Sequence, residues 1–177
     1  IGMVAASYRL SPKVTYPAYN RDAAAAVAWT KKHIGEYGGN ADELFVAGHS
    51  AGGYLTAIVG YDPDLLAEQG MKLTDLAGVI AVAPQVFTHF EIRKERGIPN
   101  PETTPVIDKA APCYYTNKNA RPTLILLGDH DWPVRLEECT YFVAMLKYAG
   151  DKDVALHVIP DRNHGTLYSK MVNPDDP

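Results

Sequence analysis

No stretch of this 177-residue chain reaches the ~18 consecutive apolar residues that a membrane-spanning helix requires. Nor is there a basic cluster. The net charge is −4 at pH 7, which argues against a nucleic-acid partner. Cysteine is scarce as well. Cys113 and Cys139 cannot build a disulfide framework or a four-cysteine zinc site, and two free buried thiols fit better than one bridge. No internal repeat or low-complexity tract interrupts the sequence. What remains is globular in composition, 46% hydrophobic and 21% charged, over a length that one domain fills.

Five apolar runs read as buried strands: Met3–Tyr8, Leu44–Ala47, Ala77–Ala83, Thr123–Leu127 and Val154–Ile159. Their continuous, β-branched character suits parallel strands covered on both faces. Helical stretches lie between them. The alanine-rich segment from Asn20 ends at Gly38–Gly39 and offers Asn20 as its N-cap. "AGGYLTAIVGY" forms a second helix, and "PVRLEECTYFVAMLKYAG" a third, with Pro133 in its first turn. Strands alternating with helices predict an α/β domain with a mostly parallel sheet and helices on both faces. Residues 84–122 break this rhythm with six prolines and the charged run "EIRKERG". Two readings stay open for them: a cap-like excursion that forms part of a substrate pocket, or a solvated loop with one short helix.

The chain opens on Ile1 and runs straight into an apolar stretch. That predicts a piece of a longer protein, its sheet edge left open at the start. An open edge favours a second copy as cover, hence a homodimer. The compartment is not assignable, the cytoplasm being the default, because a leader would lie upstream.

The chemistry concentrates at "FVAGHSAGGYL". A serine hydroxyl is a poor nucleophile until a base removes its proton and donors hold the developing oxyanion. A G-x-S-x-G turn between a strand and a helix serves both needs, lifting the serine above the sheet and placing a helix N-terminus behind it. The flanking glycines are expected to be small because larger side chains would clash. Ser50 is therefore the candidate nucleophile, with Ala51 supplying a backbone N–H. An acid and a base should follow in the order Asp or Glu, then His. "LILLGDHDWPV" supplies Asp129 and Asp131, of which Asp131, immediately before the next helix, is preferred. "HVIPDRNHGTLY" supplies His164. Each of Ser50, Asp131 and His164 follows a predicted parallel strand, where open α/β sheets place their ligands. His49 within the turn, Tyr54, Phe87, His89 and Trp132 are candidates to line the substrate pocket, with Phe90 and Tyr168 as further aromatics of this edge.

With these residues assembled, the chain resembles the α/β-hydrolases, and within them the esterase branch of hormone-sensitive-lipase-like carboxylesterases and formamidase-like enzymes. The resemblance rests on "YRLSP", on "YP" followed by Asp22 and Trp29, on "GGNADELFVAGHSAGG", on "GDHDWPV" and on "NHG". It implies a Ser50–His164–Asp131 triad, an oxyanion donor at Ala51, a small carboxylic ester as substrate, and no metal or organic cofactor. It also implies an HGGG-type loop ahead of the strand before "YRLSP", supplying further oxyanion donors; nothing of that kind is present in this sequence. Two other functions compete. The same triad could cleave amide or peptide bonds, or the domain could be a catalytically silent binding module.

Overall fold

The computed structural model describes residues 1–116 and 121–171. Four strands form one sheet in the order β1-β2-β3-β4, all parallel: β1 Phe45–His49, β2 Gly78–Val82, β3 Thr123–His130 and β4 Val154–Asn163. The connections carry the helices α1 Ala18–His33, α2 Ala51–Tyr61, α3 Pro63–Ala67, α4 Phe90–Glu95 and α5 Arg135–Tyr148, and α6 His164–Lys170 follows β4. None of the described helices is long and apolar enough to cross a membrane.

One face of the sheet is packed far more fully than the other. Val79 and Ile125 alternate onto the face covered by α2 and α5. There Gly60 of α2 lies against Val79, and the Tyr61 ring meets Phe142 of α5 edge-on. α1 packs outside α2 through Tyr19 and Ala24, closing a core that includes Leu55, Ile58 and Leu66. The opposite face is met by α6, whose Leu167 clusters with Val82 and the partly buried Leu126. Phe45, at the outer edge of that second face, stays 56% exposed. Burying an aromatic of that size would add ~1.5–3 kcal/mol.

Four of the five expected strands form, with shifted ends. β3 and β4 run on through Gly128, Asp129, Pro160 and Asp161, polar and turn-forming residues that read as loop. The fifth, Met3–Tyr8, is not a strand. Residues 1–10 are irregular and mostly exposed, because no strand among the described residues lies alongside to pair with their backbone groups. Asn20 is not an N-cap either. α1 starts at Ala18, which puts Asn20 in the first turn, facing inward, where its amide donates to the Tyr54 hydroxyl at 3.2 Å. α5 begins at Arg135, two residues later than Pro133 suggested. Cys113 and Cys139 are free and buried, and burial pushes both thiols up to about 12.

Residues 84–116 are not merely a solvated loop. Val86, Ile92, Arg93, Ala110, Ala111 and Cys113 are all buried, and the Cys113 N–H donates back to the Val86 carbonyl at 3.0 Å. Residues 117–120 of this expected excursion lie outside the described residues.

Candidate active site

Because all four strands run the same way, their carboxyl ends share one edge. Ser50 follows β1, Asp131 follows β3 and His164 follows β4. Each is held there by local bonds that its sequence neighbours dictate.

Ser50 adopts φ 58°, ψ −117°, a region costly for a residue with a Cβ. Its conformation is fixed from both sides. The Ser50 N–H donates to the Val82 carbonyl of β2 at 2.9 Å, and its carbonyl accepts from the Tyr54 N–H at 2.9 Å. Gly48 leaves no room for a side chain, since a Cβ there would lie 2.6 Å from the Gly52 carbonyl carbon and 2.9 Å from Thr56 Oγ1. Gly52 differs from expectation: a Cβ there would meet nothing within 4 Å. The tight position after the serine is Gly53, where a Cβ would come within 2.6 Å of the Val82 carbonyl oxygen. α2 must approach the end of β2 this closely for Ser50 to stand where it does.

The acid loop is similarly constrained. The Asp131 N–H donates to the Gly128 carbonyl at 3.2 Å, and Asp131 Oδ1 accepts from the Trp132 N–H at 2.7 Å. Val134 caps the loop in the left-handed region, at φ 62°, unusual for a β-branched residue. Asp129 serves a different purpose. Its carboxylate accepts from the Arg162 N–H at 3.1 Å and pairs with His130 at 2.8 Å, tying the ends of β3 and β4 together. Burial raises its pKa, but the Asp161 and Arg162 N–H groups and His130 outweigh that and hold the carboxyl below its usual range.

His164 is the first residue of α6. Asn163 caps that helix, accepting from the Gly165 and Thr166 N–H groups at 3.0 and 2.9 Å, while Thr166 Oγ1 accepts from the Asn163 N–H at 2.9 Å. The cap aims the imidazole inward. His164 Nδ1 lies 2.9 Å from Asp131 Oδ1, and His164 Nε2 lies 2.7 Å from Ser50 Oγ. A carboxylate only accepts, so Nδ1 carries the proton and Nε2 is left to receive the one from Ser50. The pair is dry: the side chains of His164 and Asp131 are 12% and 2% exposed.

Two neighbours hold the imidazole. The Trp132 ring stacks on it at 4.0 Å and 14°. His49 donates from Nε2 to the His164 carbonyl at 3.0 Å, and its ring lies 4.8 Å from that of His164 and 5.3 Å from that of Tyr168. Burial, the main influence, lowers the pKa of His49 and so favours its uncharged form. Ala51 opens α2, so its N–H belongs to the first turn, whose donors have no partner within the helix.

The structure thus brings Ser50, Asp131, His164, Ala51, His49 and Trp132 to one place. Tyr54, Phe87 and His89 make their contacts with other partners. Tyr54 is buried in the core, donating to the Ala110 carbonyl at 2.8 Å. Phe87 packs against the α5 cluster and the Tyr141 ring. His89 caps α4 and lies between the Tyr54 and Phe90 rings. Sequence reasoning passed over Arg93 and Arg135, two buried arginines near His89. Nothing in a charged run such as "EIRKERG" marks which of its members turns inward. Among the described residues, the one group of three metal-capable side chains, Asp129, His130 and Asp161, is exposed, and its Asp129 carboxylate is already engaged.

The sequence pattern of the BD-FAE family matches residues 2–146. The chain belongs to the BD-FAE family. Among curated proteins, this BD-FAE chain is 29% identical over 194 residues to esterase LipQ of Mycobacterium tuberculosis, covering 96% of the chain and 45% of LipQ. It is 40% identical over 189 residues to carboxylesterase NlhH of the same organism, covering 97% of the chain and 58% of NlhH. The chain spans about half the length of the curated relatives it matches. Among solved structures, esterase 2 of Thermogutta terrifontis, phosphoramylated by tabun, superposes with a TM-score of 0.73 at 24% identity, covering 91% of this chain and 60% of that one. The esterase of Pyrobaculum calidifontis gives 0.68 at 20% identity, over 90% of this chain and 56% of its own. The fold is that of an α/β-hydrolase of the esterase branch.

Proposed function

We propose that the chain carries the hydrolytic centre of a serine esterase acting on small carboxylic esters. One observation carries the reading: His164 bridges Ser50 Oγ at 2.7 Å and Asp131 Oδ1 at 2.9 Å, in a site from which water is largely excluded. In this reading Ser50 Oγ attacks the ester carbonyl carbon as its proton passes to His164 Nε2. Asp131 accepts the Nδ1–H bond throughout and stabilises the imidazolium that forms. The Ala51 N–H donates to the oxyanion. Collapse of the tetrahedral intermediate expels the alcohol, which takes the proton from Nε2. A water then attacks the acyl-serine by the same relay, releasing the acid and restoring Ser50.

Ester rather than amide is favoured by the relatives, since LipQ, NlhH and the Thermogutta protein all carry esterase names. The test compares turnover of p-nitrophenyl butyrate with that of butyryl p-nitroanilide, in the unaltered chain and in Ser50→Ala. Ester hydrolysis well above amide hydrolysis, both lost in Ser50→Ala, is the expected result. A dominant amidase rate, or ester turnover that survives the substitution, would overturn the reading.

A further inference from the structure

Two arginines lie buried beside this site without the anion that such burial calls for. Arg93 of α4 is 1% exposed and Arg135, the first residue of α5, is 6% exposed. Arg93 Nη1 donates to the Thr104 carbonyl, but Arg93 Nε and Nη2 and Arg135 Nη1 are buried with no hydrogen-bond partner. No side chain nearby neutralises them fully. His89, which both arginines face, is driven by burial and then by their charges to about 3, so it is neutral and adds no counter-charge. The carboxylate that faces them is Glu138, whose Oε2 accepts from the Val86 N–H at 3.3 Å and so braces the excursion; burial raises its pKa. Among the described residues, neither guanidinium makes an ion pair with a carboxylate. An unpaired buried guanidinium costs several kcal/mol, and a bidentate carboxylate is the partner its planar fork fits best. Arg135 adjoins the reaction centre, since its guanidinium lies 5.7 Å from the centroid of the Trp132 ring, and that ring stacks on His164 at 4.0 Å; Arg93 lies close enough to Arg135 for their charges to oppose each other.

We infer that Arg93 and Arg135 form a subsite for a carboxylate carried by the substrate, so that the preferred esters are those of dicarboxylic acids or of similar acid-bearing molecules. The inference rests on the esterase reading for its link to turnover, but binding of the anion can be measured without it. Calorimetric titration with succinate and glutarate should show one saturable site on the unaltered chain, retained in Ser50→Ala and weakened about tenfold to a hundredfold in Arg135→Gln and in Arg93→Lys. In turnover, p-nitrophenyl succinate should exceed p-nitrophenyl butyrate in kcat/KM, and that ratio should collapse in the arginine variants. Inorganic phosphate serves as the control for a site that holds any anion.

The possible results separate cleanly. No dicarboxylate binding to the unaltered chain, or phosphate binding as tightly as succinate, overturns the subsite even if butyrate is hydrolysed through Ser50. Succinate binding that depends on both arginines upholds the subsite even if neither ester turns over, in which case it is the esterase reading that fails.

Discussion

Residues 1–10 and residues 131–134 are both irregular, yet they could hardly be held more differently. The first segment is apolar for most of its length and largely exposed, and among the side chains of these ten residues Arg9 anchors it, through a bidentate pair with Asp22. The second is a few residues with an aspartate, a proline and a strained valine, and almost every group in it is engaged. Asp131 is bonded to His164 and to its own neighbour's N–H, Trp132 is stacked on His164, and Val134 starts α5. Apolarity did not make the first segment a strand, because a strand needs a partner for its backbone as well as a core for its side chains. The second is held fast because it lies where β3, β4 and α5 meet.

The sharpest way to break this comparison lies within the acid loop. Asp131→Asn removes the acceptor that holds the Nδ1 proton of His164 and should lower ester turnover about 10⁴-fold. Asp129→Asn, two residues away, should leave turnover close to that of the unaltered chain and act on stability instead, because Asp129 holds backbone rather than imidazole. Equal losses from the two substitutions would show that the acid has been placed wrongly.

Next in size is the pair of glycines after Ser50. Gly53→Ala forces a methyl against the Val82 carbonyl and should destabilise by about 1–3 kcal/mol. Gly52→Ala meets open space inside a helix and should stabilise by about 0.5–1 kcal/mol. Urea denaturation of both variants reads the difference, and a reversed order would contradict the packing of α2 on β2.

The third effect depends on pH. His89 titrates at about 3 in the folded chain, against an unfolded value near 6.5. Between those values the unfolded chain binds a proton that the folded chain refuses, so stability falls as pH drops from about 6.5 toward 3, by up to ~1.4 kcal/mol per pH unit from this group. His89→Asn keeps an acceptor for the Glu91 N–H and removes the titration. Its stability should decline less between pH 7 and pH 5 than that of the unaltered chain, as followed by denaturant midpoints. The smallest effect belongs to the exposed segment: Met3→Ser should change stability by less than about 0.5 kcal/mol. A large loss there would mean that residues 1–10 are packed in solution.

Much of this was legible in the sequence, for identifiable reasons. The cores of β1 to β4 were readable because each carries a continuous apolar run, although β1 and much of β4 are only partly covered. Their ends were not, since Gly128 to His130 and Pro160 to Asn163 extend the pairing through residues that ordinarily end it. The order of Ser50, Asp131 and His164 followed from the strand-then-turn pattern, and the structure brings all three within hydrogen-bond reach. Asn20 misled because capping chemistry and an inward first-turn amide look alike in one dimension. Gly52 misled in the same way, as only the three-dimensional approach of β2 reveals that Gly53 is the tight position. Arg93 and Arg135 were invisible because burial of a charge is a property of the surroundings, not of the run that contains it.

Activation of Ser50 by His164 is the step on which catalysis depends. The most direct measurement is the intact mass of the chain after exposure to a fluorophosphonate, alongside Ser50→Ala and His164→Ala. A single adduct on the unaltered chain, mapped to Ser50 and absent from both variants, is the predicted result. Labelling of His164→Ala at the unaltered rate, or no adduct on the unaltered chain, would contradict it.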